Sequence, residues 1–197
     1  MERMNGIKYP TGTNQWTQVK NRDGHSGRGQ SLESDINDSN SWYRETGKAL
    51  IYKKPTPVQV VHVDYPARNR ARITEAYYRT PSTTDYNGVY KGKYVDFEAK
   101  ETQCKTGFPL YLVHPHQIAH LKRVREHGGC GFFIIRFTSR QVTMVVDAPS
   151  LIRAMDQCEK SLVPYAWFEE HGIPVGEGLC PRLAYLKAVD QLLAEHE

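Results

Sequence analysis

Three residues near the middle of the chain have side chains suited to the hydrolysis of a phosphodiester. Asp85 and Glu98 supply two carboxylates, and Lys100 follows Glu98 after one intervening residue. Carboxylates bind hard divalent cations such as Mg²⁺, which take oxygen ligands. A bound metal polarises a phosphate and lowers the pKa of water, and a nearby lysine stabilises the charged transition state. This pattern is common by chance, so its value depends on whether the fold brings the three residues together.

A β-hairpin is the element predicted to bring them together. The residues that lead to Lys100 alternate between polar and apolar, which is the period of a β-strand with one charged face. Lys91-Gly92 suits a two-residue turn, because glycine accepts a positive φ. The preceding strand then places Asp85 opposite Glu98 and Thr83 opposite Lys100, with roughly 5 Å between opposed Cβ atoms.

Asp96 lies on the same charged face, opposite Asn87, and is predicted to support the metal ligands rather than to bind the metal. The opposed carboxylates repel each other, so the predicted pair requires a compensating cation. Two alternatives stay open. Asn87-Gly88 is itself a turn signal, and a bulge at Gly88 shifts the pairing by one residue. A solvated outer strand shows the same alternation as a strand that carries a site.

The composition fits one domain with a hydrophobic core. Of 197 residues, 39% are hydrophobic and 24% are charged. No apolar run approaches the length of a membrane span and the N-terminus lacks the apolar region of a signal peptide, so we expect a cytoplasmic protein without membrane contact. The cysteines lack metal-site spacing and are expected to be reduced thiols: Cys104, Cys130, Cys158 and Cys180.

The net charge of +4 is distributed unevenly along the chain. Residues 151–197 contain four basic and eight acidic residues, whereas residues 1–150 contain 22 basic and 14 acidic residues. A basic front part beside a carboxylate pair favours a polyanionic partner, above all a nucleic acid.

Residues 1–30 are predicted to be a flexible basic arm, and residues 31–197 a single domain. The arm lacks apolar periodicity and includes Arg28, a candidate for contact with a phosphate backbone. An unstructured chain end without a DNA-binding role has the same composition.

A basic finger is predicted as an insertion at about residues 54–80. Its two strands, Val58–Tyr65 and Ala71–Tyr78, flank a basic turn. The basic residues at its base and near its tip are candidates for DNA contact: Lys53, Lys54, Arg68, Arg70 and Arg72. An ordinary edge hairpin with a solvated turn is the alternative.

The remaining elements predict an α/β fold around a mixed sheet. In chain order they are a helix from Ser31 to near Gly47, a strand Ala49–Tyr52, a helix from Pro115 to Gly128-Gly129, strands Cys130–Phe137 and Gln141–Val146, a helix from Ala148 to about Gln157, an irregular segment 160–180 and a helix from Pro181. Glu33 lies in the first turn of the first helix, where the helix dipole favours acids, and is a candidate for supporting the metal site. Gln117 shares a helical face with Leu121 and Val124 and so points toward the sheet.

Three histidines near the start of the second helix, His114, His116 and His120, suggest a metal cluster. Their positions straddle the helix start, and a hard cation prefers oxygen ligands, so this interpretation is disfavoured.

Four stretches of the chain resemble the RecU-type Holliday junction resolvases, members of the PD-(D/E)xK, or restriction-endonuclease-like, nuclease superfamily. They are G-R-G-Q-S-L-E-S-D-I-N, K-K-P-T-P-V-Q-V-V-H-V-D-Y-P, S-T-T-D-Y-N-G-V-Y-K-G-K-Y-V-D-F-E-A-K-E-T and F-P-L…H-P-H-Q-I-A-H-L-K. The resemblance covers most of the chain and weakens at the extreme N-terminus and after about residue 150. The chain departs from the superfamily motif at Thr84, where the name of the motif has proline.

The resemblance implies a restriction-endonuclease-like core with a protruding basic stalk, which falls on the predicted finger. It implies that Mg²⁺ is bound at Thr83, Asp85, Glu98 and Gln117, and that Lys100 stabilises the transition state. It further implies a homodimer that makes paired nicks across a four-way DNA junction and works with recombinase and branch-migration proteins.

Two other functions are compatible with the same residues. One is another PD-(D/E)xK endonuclease, of restriction or phage type, that cuts linear duplex DNA. The other is a non-catalytic junction-binding protein that modulates a recombinase. The intact set of Thr83, Asp85, Glu98 and Lys100 argues against the second, because a pure binder does not require opposed carboxylates.

Overall fold

The computed structural model describes residues 31–67, 70–79 and 83–194. The predicted arm with Arg28, and Arg68 in the predicted basic turn, lie outside these residues. The described chain belongs to two compact units: one contains Thr56–Thr80, and the other contains Gly29–Pro55 together with Pro81–Glu197. We call them the hairpin unit and the body unit.

The helices and strands have the following bounds. The strands are β1 Leu50–Lys53, β2 Val58–Ala67, β3 Arg70–Tyr78, β4 Tyr86–Tyr90, β5 Lys93–Thr102, β6 Gly107–Pro109, β7 Cys130–Phe137, β8 Val142–Asp147, β9 Leu162–Pro164 and β10 Ile173–Pro174. The helices are α1 Leu32–Glu45, α2 Pro115–Glu126, α3 Ala148–Gln157, α4 Tyr165–His171 and α5 Leu186–Ala194. A single 3-10 turn occupies Leu110–Leu112.

A six-stranded mixed sheet forms the centre of the body unit. Its strand order is β1-β4-β5-β7-β8-β10, in which β5 and β7 are parallel and the other neighbours antiparallel. Successive residues of β7 belong to two different hydrophobic clusters. Phe132 and Ile134 pack in the first cluster, whereas Phe133 and Ile135 pack in the second. Because successive side chains of a strand point to opposite faces, both faces of the sheet are covered. This confirms the predicted α/β fold with a mixed sheet flanked by helices.

The hairpin β4–β5 has the predicted register. The ladder runs from Tyr86 opposite Phe97 to Tyr90 opposite Lys93, without a bulge. Lys91 and Gly92 form the turn with φ values of 48° and 76°. Positive φ at both turn residues matches the type I′ geometry that two-residue hairpins favour.

Gly88 lies within the ladder and is not the turn residue. It pairs with Val95 on one side and with Ile51 of β1 on the other. A Cβ atom at this position would overlap the Leu50 carbonyl oxygen. The glycine is therefore required by the close approach of β1, and the alternative turn at Asn87-Gly88 is excluded.

The described part of the hairpin unit is the antiparallel pair β2–β3, in which β2 extends two residues and β3 one residue beyond the predicted bounds at the tip. Almost all of its residues are exposed on both faces. Its pairing is irregular, with register shifts after Val60, after His62 and between Asp64 and Ala67.

The first two helices of the body unit begin and end close to the residues predicted from the sequence. Ser31 caps α1 by accepting a hydrogen bond from Ser34 N, and Leu32, Ile36 and Tyr43 are buried. Pro115 occupies the first turn of α2. The buried residues of α2 are Gln117, Leu121 and Val124, as predicted.

The C-terminal part of the body unit differs from the prediction. Segment 160–180, predicted to be irregular, contains β9, α4 and β10. The helix predicted from Pro181 begins only at Leu186. Ala184 N instead donates to Gly176 O, and Glu177 and Leu183 form an isolated β-bridge. These long-range hydrogen bonds override the local helical periodicity of the sequence.

Two general features complete the description. Cys104, Cys130, Cys158 and Cys180 are free thiols. Within the described ranges, no helix has the length and apolar character needed to cross a membrane.

Candidate active site

Glu98 lies at the centre of the predicted site and is almost completely buried. Its side chain is 1% exposed. Gln117 Nε2 donates to Oε1 over 2.6 Å, and the Lys100 ammonium lies 2.8 Å from the same oxygen. The backbone N–H of Asp85 donates to Oε2 over 3.2 Å. Four predicted site residues, from strand β5, helix α2 and the segment before β4, therefore meet at one carboxyl group.

The charged face of β5 is thus not a solvated outer face. The strand is third of six in the sheet, and Asp96 and Glu98 are 0% and 1% exposed. Buried carboxylates are stable only when they are paired or hydrogen-bonded, so their partners decide what this face does.

Burial, followed by the negative charge of Asp85, raises the pKa of Glu98 to about 8, although Lys100 opposes both effects. Without a cation other than Lys100, the proton is retained on Glu98 near neutral pH. Two carboxyl groups that repel each other in a site of low dielectric constant are the situation that a divalent cation relieves.

Gln117 has two roles that its sequence position did not predict together. Its amide nitrogen holds Glu98, while its amide oxygen accepts from the backbone N–H of His114 over 2.9 Å. The second contact satisfies one of the free N–H groups at the start of α2. The same side chain therefore caps the helix and positions the carboxylate.

Asp85 and Thr83 precede β4 and lie outside its ladder. Asp85 is held by its backbone, since its N–H contacts Glu98 and its carbonyl accepts from Lys54 N over 2.7 Å. The Thr83 hydroxyl contacts the Thr84 carbonyl at 3.4 Å. The predicted pairing of Thr83 with Lys100 lies beyond the last ladder pair, so it stays a prediction.

Asp96 is the second fully buried carboxylate of the strand, and as predicted it lies opposite Asn87. Its Oδ2 is 2.8 Å from Lys54 Nζ, 2.7 Å from the Tyr94 hydroxyl and 3.0 Å from His120 Nε2. The Thr84 hydroxyl donates to its Oδ1. Burial, followed by the hydrogen bond to Asp96, raises the pKa of Tyr94 to about 12.

Lys54 was predicted to contact DNA, but the structure places it inside the body unit. Its side chain is 17% exposed, and its ammonium is bound to Asp96 and to Thr84 Oγ1. These two contacts engage the ammonium within the body unit, and its contact with DNA stays a prediction. The sequence does not indicate this partnership, because the two residues are 42 positions apart.

The other candidates for DNA contact differ from Lys54. Lys53 is about half exposed and forms a 2.7 Å ion pair with Glu33, which is itself half exposed. Glu33 thereby faces Lys53 rather than the carboxylate pair. Its negative charge nevertheless adds to the effect of burial in raising the pKa of the Tyr86 hydroxyl. Arg70 and Arg72 are exposed on β3 of the hairpin unit.

The three histidines do not form a metal cluster. His120 contacts Asp96, whereas the rings of His114 and His116 stack with their centroids 5.6 Å apart. Burial, together with the charges of His114 and Lys100, lowers the pKa of His116. Among the described residues, no group of three His, Cys, Asp or Glu side chains is arranged to hold a metal.

The donor set around Glu98 fits a hard divalent cation. Asp85 and Gln117 both contact Glu98, and the side chains of all three offer oxygen ligands. The Thr83 hydroxyl, two residues before Asp85, stays a predicted fourth ligand. The amide oxygen of Gln117 caps α2 with one of its two lone pairs, which leaves the second for a metal ligand bond.

Comparison with known proteins identifies close relatives of this chain. The family model described as Recombination protein U matches residues 27–191. A Holliday junction resolvase RecU of Geobacillus kaustophilus is 50% identical over 171 residues, which cover 85% of this chain and 86% of the relative. A second RecU resolvase, from Limosilactobacillus fermentum, is 50% identical over 173 residues, which cover 86% of this chain and 82% of the relative.

Further relatives extend the match to nearly the whole length. The RecU resolvase of Geobacillus sp. strain WCH70 is 45% identical over 199 residues, covering 96% of this chain and 99% of the relative. A solved structure of Hjc, a Holliday junction resolvase from Archaeoglobus fulgidus, is 11% identical with a TM-score of 0.43, and covers 72% of this chain and 94% of that chain. The sequence relatives and the family model carry the assignment on their own: this chain belongs to the RecU family.

Proposed function

We propose that this protein is a divalent-metal-dependent, structure-specific endonuclease that resolves Holliday junctions by paired nicks during homologous recombination and DNA repair. The observation that carries the proposal is the convergence of Asp85, Lys100 and Gln117 on the buried Glu98 carboxyl group. Membership of the RecU family, whose relatives are named Holliday junction resolvases, supports the choice of substrate.

The cation is proposed to be Mg²⁺, held by the oxygens of Thr83, Asp85, Glu98 and Gln117. When bound, Mg²⁺ polarises the scissile phosphate and lowers the pKa of water. The two carboxyl groups provide the negative charge that such a cation requires, and burial beside Asp85 raises the pKa of Glu98, so a bound cation would favour its charged form.

Lys100 is proposed to stabilise the transition state. Its side chain is 16% exposed and its ammonium lies 2.8 Å from Glu98 Oε1, so its charge is held beside a proposed metal ligand and the phosphate to be cleaved there. Hydrolysis adds the elements of water across one P–O bond, and negative charge accumulates on the phosphate oxygens in the transition state. A fixed cation beside those oxygens lowers the barrier without costly reorganisation.

The hairpin unit is proposed to contact the junction. Arg70 and Arg72 are exposed, and nearly every described residue of β2 and β3 is exposed on both faces, which leaves this basic surface accessible to a polyanion. Arg68, together with Arg28 of the predicted arm, is proposed to add to the same electrostatic contact. Lys53 is a weaker candidate because Glu33 already neutralises it.

A homodimer is proposed, because paired nicks require two active sites. The described surface offers an apolar row across three strands, formed by Leu50, Val89 and Tyr94, with Tyr52 beside it. Their exposed fractions lie between 40% and 53%. Apolar patches of this kind often mark protein contacts. Sedimentation analysis of Leu50→Glu with Val89→Glu tests the row, with a monomer as the expected result.

The catalytic assignment is tested with a synthetic four-way junction and a linear duplex of the same sequence at matched salt. We expect Mg²⁺-dependent cleavage of the junction in preference to the duplex, and loss of about 1,000-fold or more in Asp85→Asn and Lys100→Ala. Lys122→Ala, on the surface of α2, is the matched control. Full cleavage by either site variant sinks the assignment. Preferential cleavage of the linear duplex favours a restriction-type nuclease, and junction binding without cleavage favours a non-catalytic binder.

A further inference from the structure

The buried carboxylate of Asp96 is connected to each segment that carries a proposed metal ligand. Thr84, which donates to it, lies between Thr83 and Asp85. His120, at 3.0 Å, lies one helical turn after Gln117 on α2. Asp96 itself precedes Glu98 by two residues on β5. The Asp96 carboxylate, on β5, is therefore hydrogen-bonded both to the loop before β4 and to helix α2.

The charge of Asp96 is matched inside the body unit. The side chain is 0% exposed, and Lys54 pairs with it at 2.8 Å. Every partner of a buried carboxylate is expensive to remove, because the charge is then left without compensation. Such an arrangement resists distortion, which suits a group that must hold neighbouring residues at fixed positions.

The Thr84 hydroxyl is the connection that bears most directly on Asp85. It accepts a hydrogen bond from Lys54 Nζ over 2.9 Å and directs its own hydrogen to Asp96. The side chain is 3% exposed. Proline at this position restricts the backbone through its ring. Threonine has no such restriction, and here the restraint comes from its hydroxyl group.

We propose that Asp96 is a positioning residue, which holds Asp85 in place opposite Glu98 through the Thr84 hydroxyl. The inference rests on the proposed metal site and extends it: Lys54 and His120 act on the site through Asp96, as parts of the same cluster. Groups that orient metal ligands commonly contribute 10- to 100-fold to metal affinity or activity.

The test uses the isosteric pair Thr84→Val and Thr84→Ser in the full-length protein. Valine retains the shape of threonine but has no hydroxyl, whereas serine retains the hydroxyl. We expect calorimetric Mg²⁺ affinity to fall about 10- to 100-fold in Thr84→Val and to stay within about 3-fold of the parent in Thr84→Ser. Cleavage at limiting Mg²⁺ falls in the same order and recovers substantially at saturating Mg²⁺.

A purely structural role predicts a different result. Thr84→Val then lowers the melting temperature in EDTA and the maximal rate, while the Mg²⁺ concentration for half-maximal cleavage stays unchanged. That result overturns the proposal, as does parental Mg²⁺ affinity in Thr84→Val. Asp96→Asn is a second variant, in which an NH₂ group replaces one carboxylate oxygen and faces groups that donate hydrogen bonds. Its Mg²⁺ affinity should fall further than that of Thr84→Val.

The same measurements separate this inference from the proposed function. Mg²⁺ binding by the parent without junction cleavage contradicts the proposed function but leaves the comparison of the two Thr84 variants decisive. Absence of Mg²⁺ binding by the parent contradicts the metal site, and the positioning role of Asp96 is overturned with it.

Discussion

Two of the antiparallel hairpins, β4–β5 and β2–β3, are opposite in character. In β4–β5 the ladder is regular, and residues on both faces of β5 are buried. In β2–β3 the ladder shifts at three places, and nearly every residue is exposed. Register is strongly specified only where a face is buried, because a slip of one residue transfers every side chain to the other face. The hairpin β4–β5 can therefore hold charged side chains at fixed positions. The hairpin β2–β3 instead presents a charged surface, which tolerates irregular pairing.

The largest expected difference between the hairpins concerns Gly88. Gly88→Ala places a methyl group against the Leu50 carbonyl oxygen of β1 and should lower the free energy of unfolding by about 3 kcal/mol. Thr74→Ala, on the exposed strand β3, is the control and should change it by less than about 1 kcal/mol. Urea unfolding measures both. Equal effects would contradict the view that only β4–β5 is tightly constrained.

The second effect is the pH dependence of stability without metal. The folded pKa of Glu98 is about 8, above its ordinary value of 4.5. Its stabilising contribution is therefore complete below pH 4.5 and is lost as the pH rises through 8. Glu98→Gln should remove this loss, and in EDTA at pH 8.5 it should be more stable than the parent by about 2 kcal/mol.

Melting curves of the parent and Glu98→Gln between pH 5 and about pH 9 measure this difference. Glu75→Gln, on the exposed strand β3, is the control and should follow the parent at each pH. Parallel curves for the parent and Glu98→Gln would show that Glu98 is not buried as a neutral acid.

A third effect is expected for the charged surface of the hairpin unit. Arg70→Glu combined with Arg72→Glu should weaken junction binding roughly 10-fold at moderate salt. The salt dependence should also become shallower, because each phosphate contact contributes about 0.9 to the slope of log K against log salt. Fluorescence anisotropy with a labelled junction measures both quantities. Lys48→Glu with Lys187→Glu, on the body unit, is the matched control. Unchanged affinity and cleavage in the arginine variant would remove the hairpin from the DNA interface.

The smallest effect is expected at Tyr77. Its ring is 60% exposed, and its hydroxyl contacts the exposed Glu75. Tyr77→Ser should change the melting temperature of the free protein by no more than about 2 °C. Scanning calorimetry measures this, and a loss several times larger would indicate that the free hairpin depends on packing across its exposed face.

The sequence predicted elements whose determinants are local. The Lys91-Gly92 turn and the alternation of β5 were enough to obtain the correct register, because turn type and strand period act over a few residues. The exclusion of a turn at Asn87-Gly88 depends on β1, which contacts Gly88 from a distant part of the chain. The late start of α5 likewise depends on hydrogen bonds to Gly176 and Glu177.

The same distinction applies to the candidate site. The spacing of Asp85, Glu98 and Lys100 predicted that they lie close together. The periodicity of the following helix predicted that Gln117 points toward the same sheet. The partners of Asp96 have no common spacing, since Thr84 precedes it by 12 residues, Lys54 by 42, and His120 follows it by 24. Only the packed sheet assigns Lys54 to an internal carboxylate rather than to the surface.

The two-residue turn at Lys91-Gly92 limits how the length of this protein can vary in evolution. Asp85 and Glu98 are 13 positions apart, and the turn between their strands has no spare residue. An insertion or deletion of one residue within either strand separates the carboxylates, whereas paired changes, one in each strand, preserve their opposition. Homologous chains that retain activity should therefore differ within these two strands by even numbers of residues, while the exposed hairpin β2–β3 can lengthen or shorten by any number.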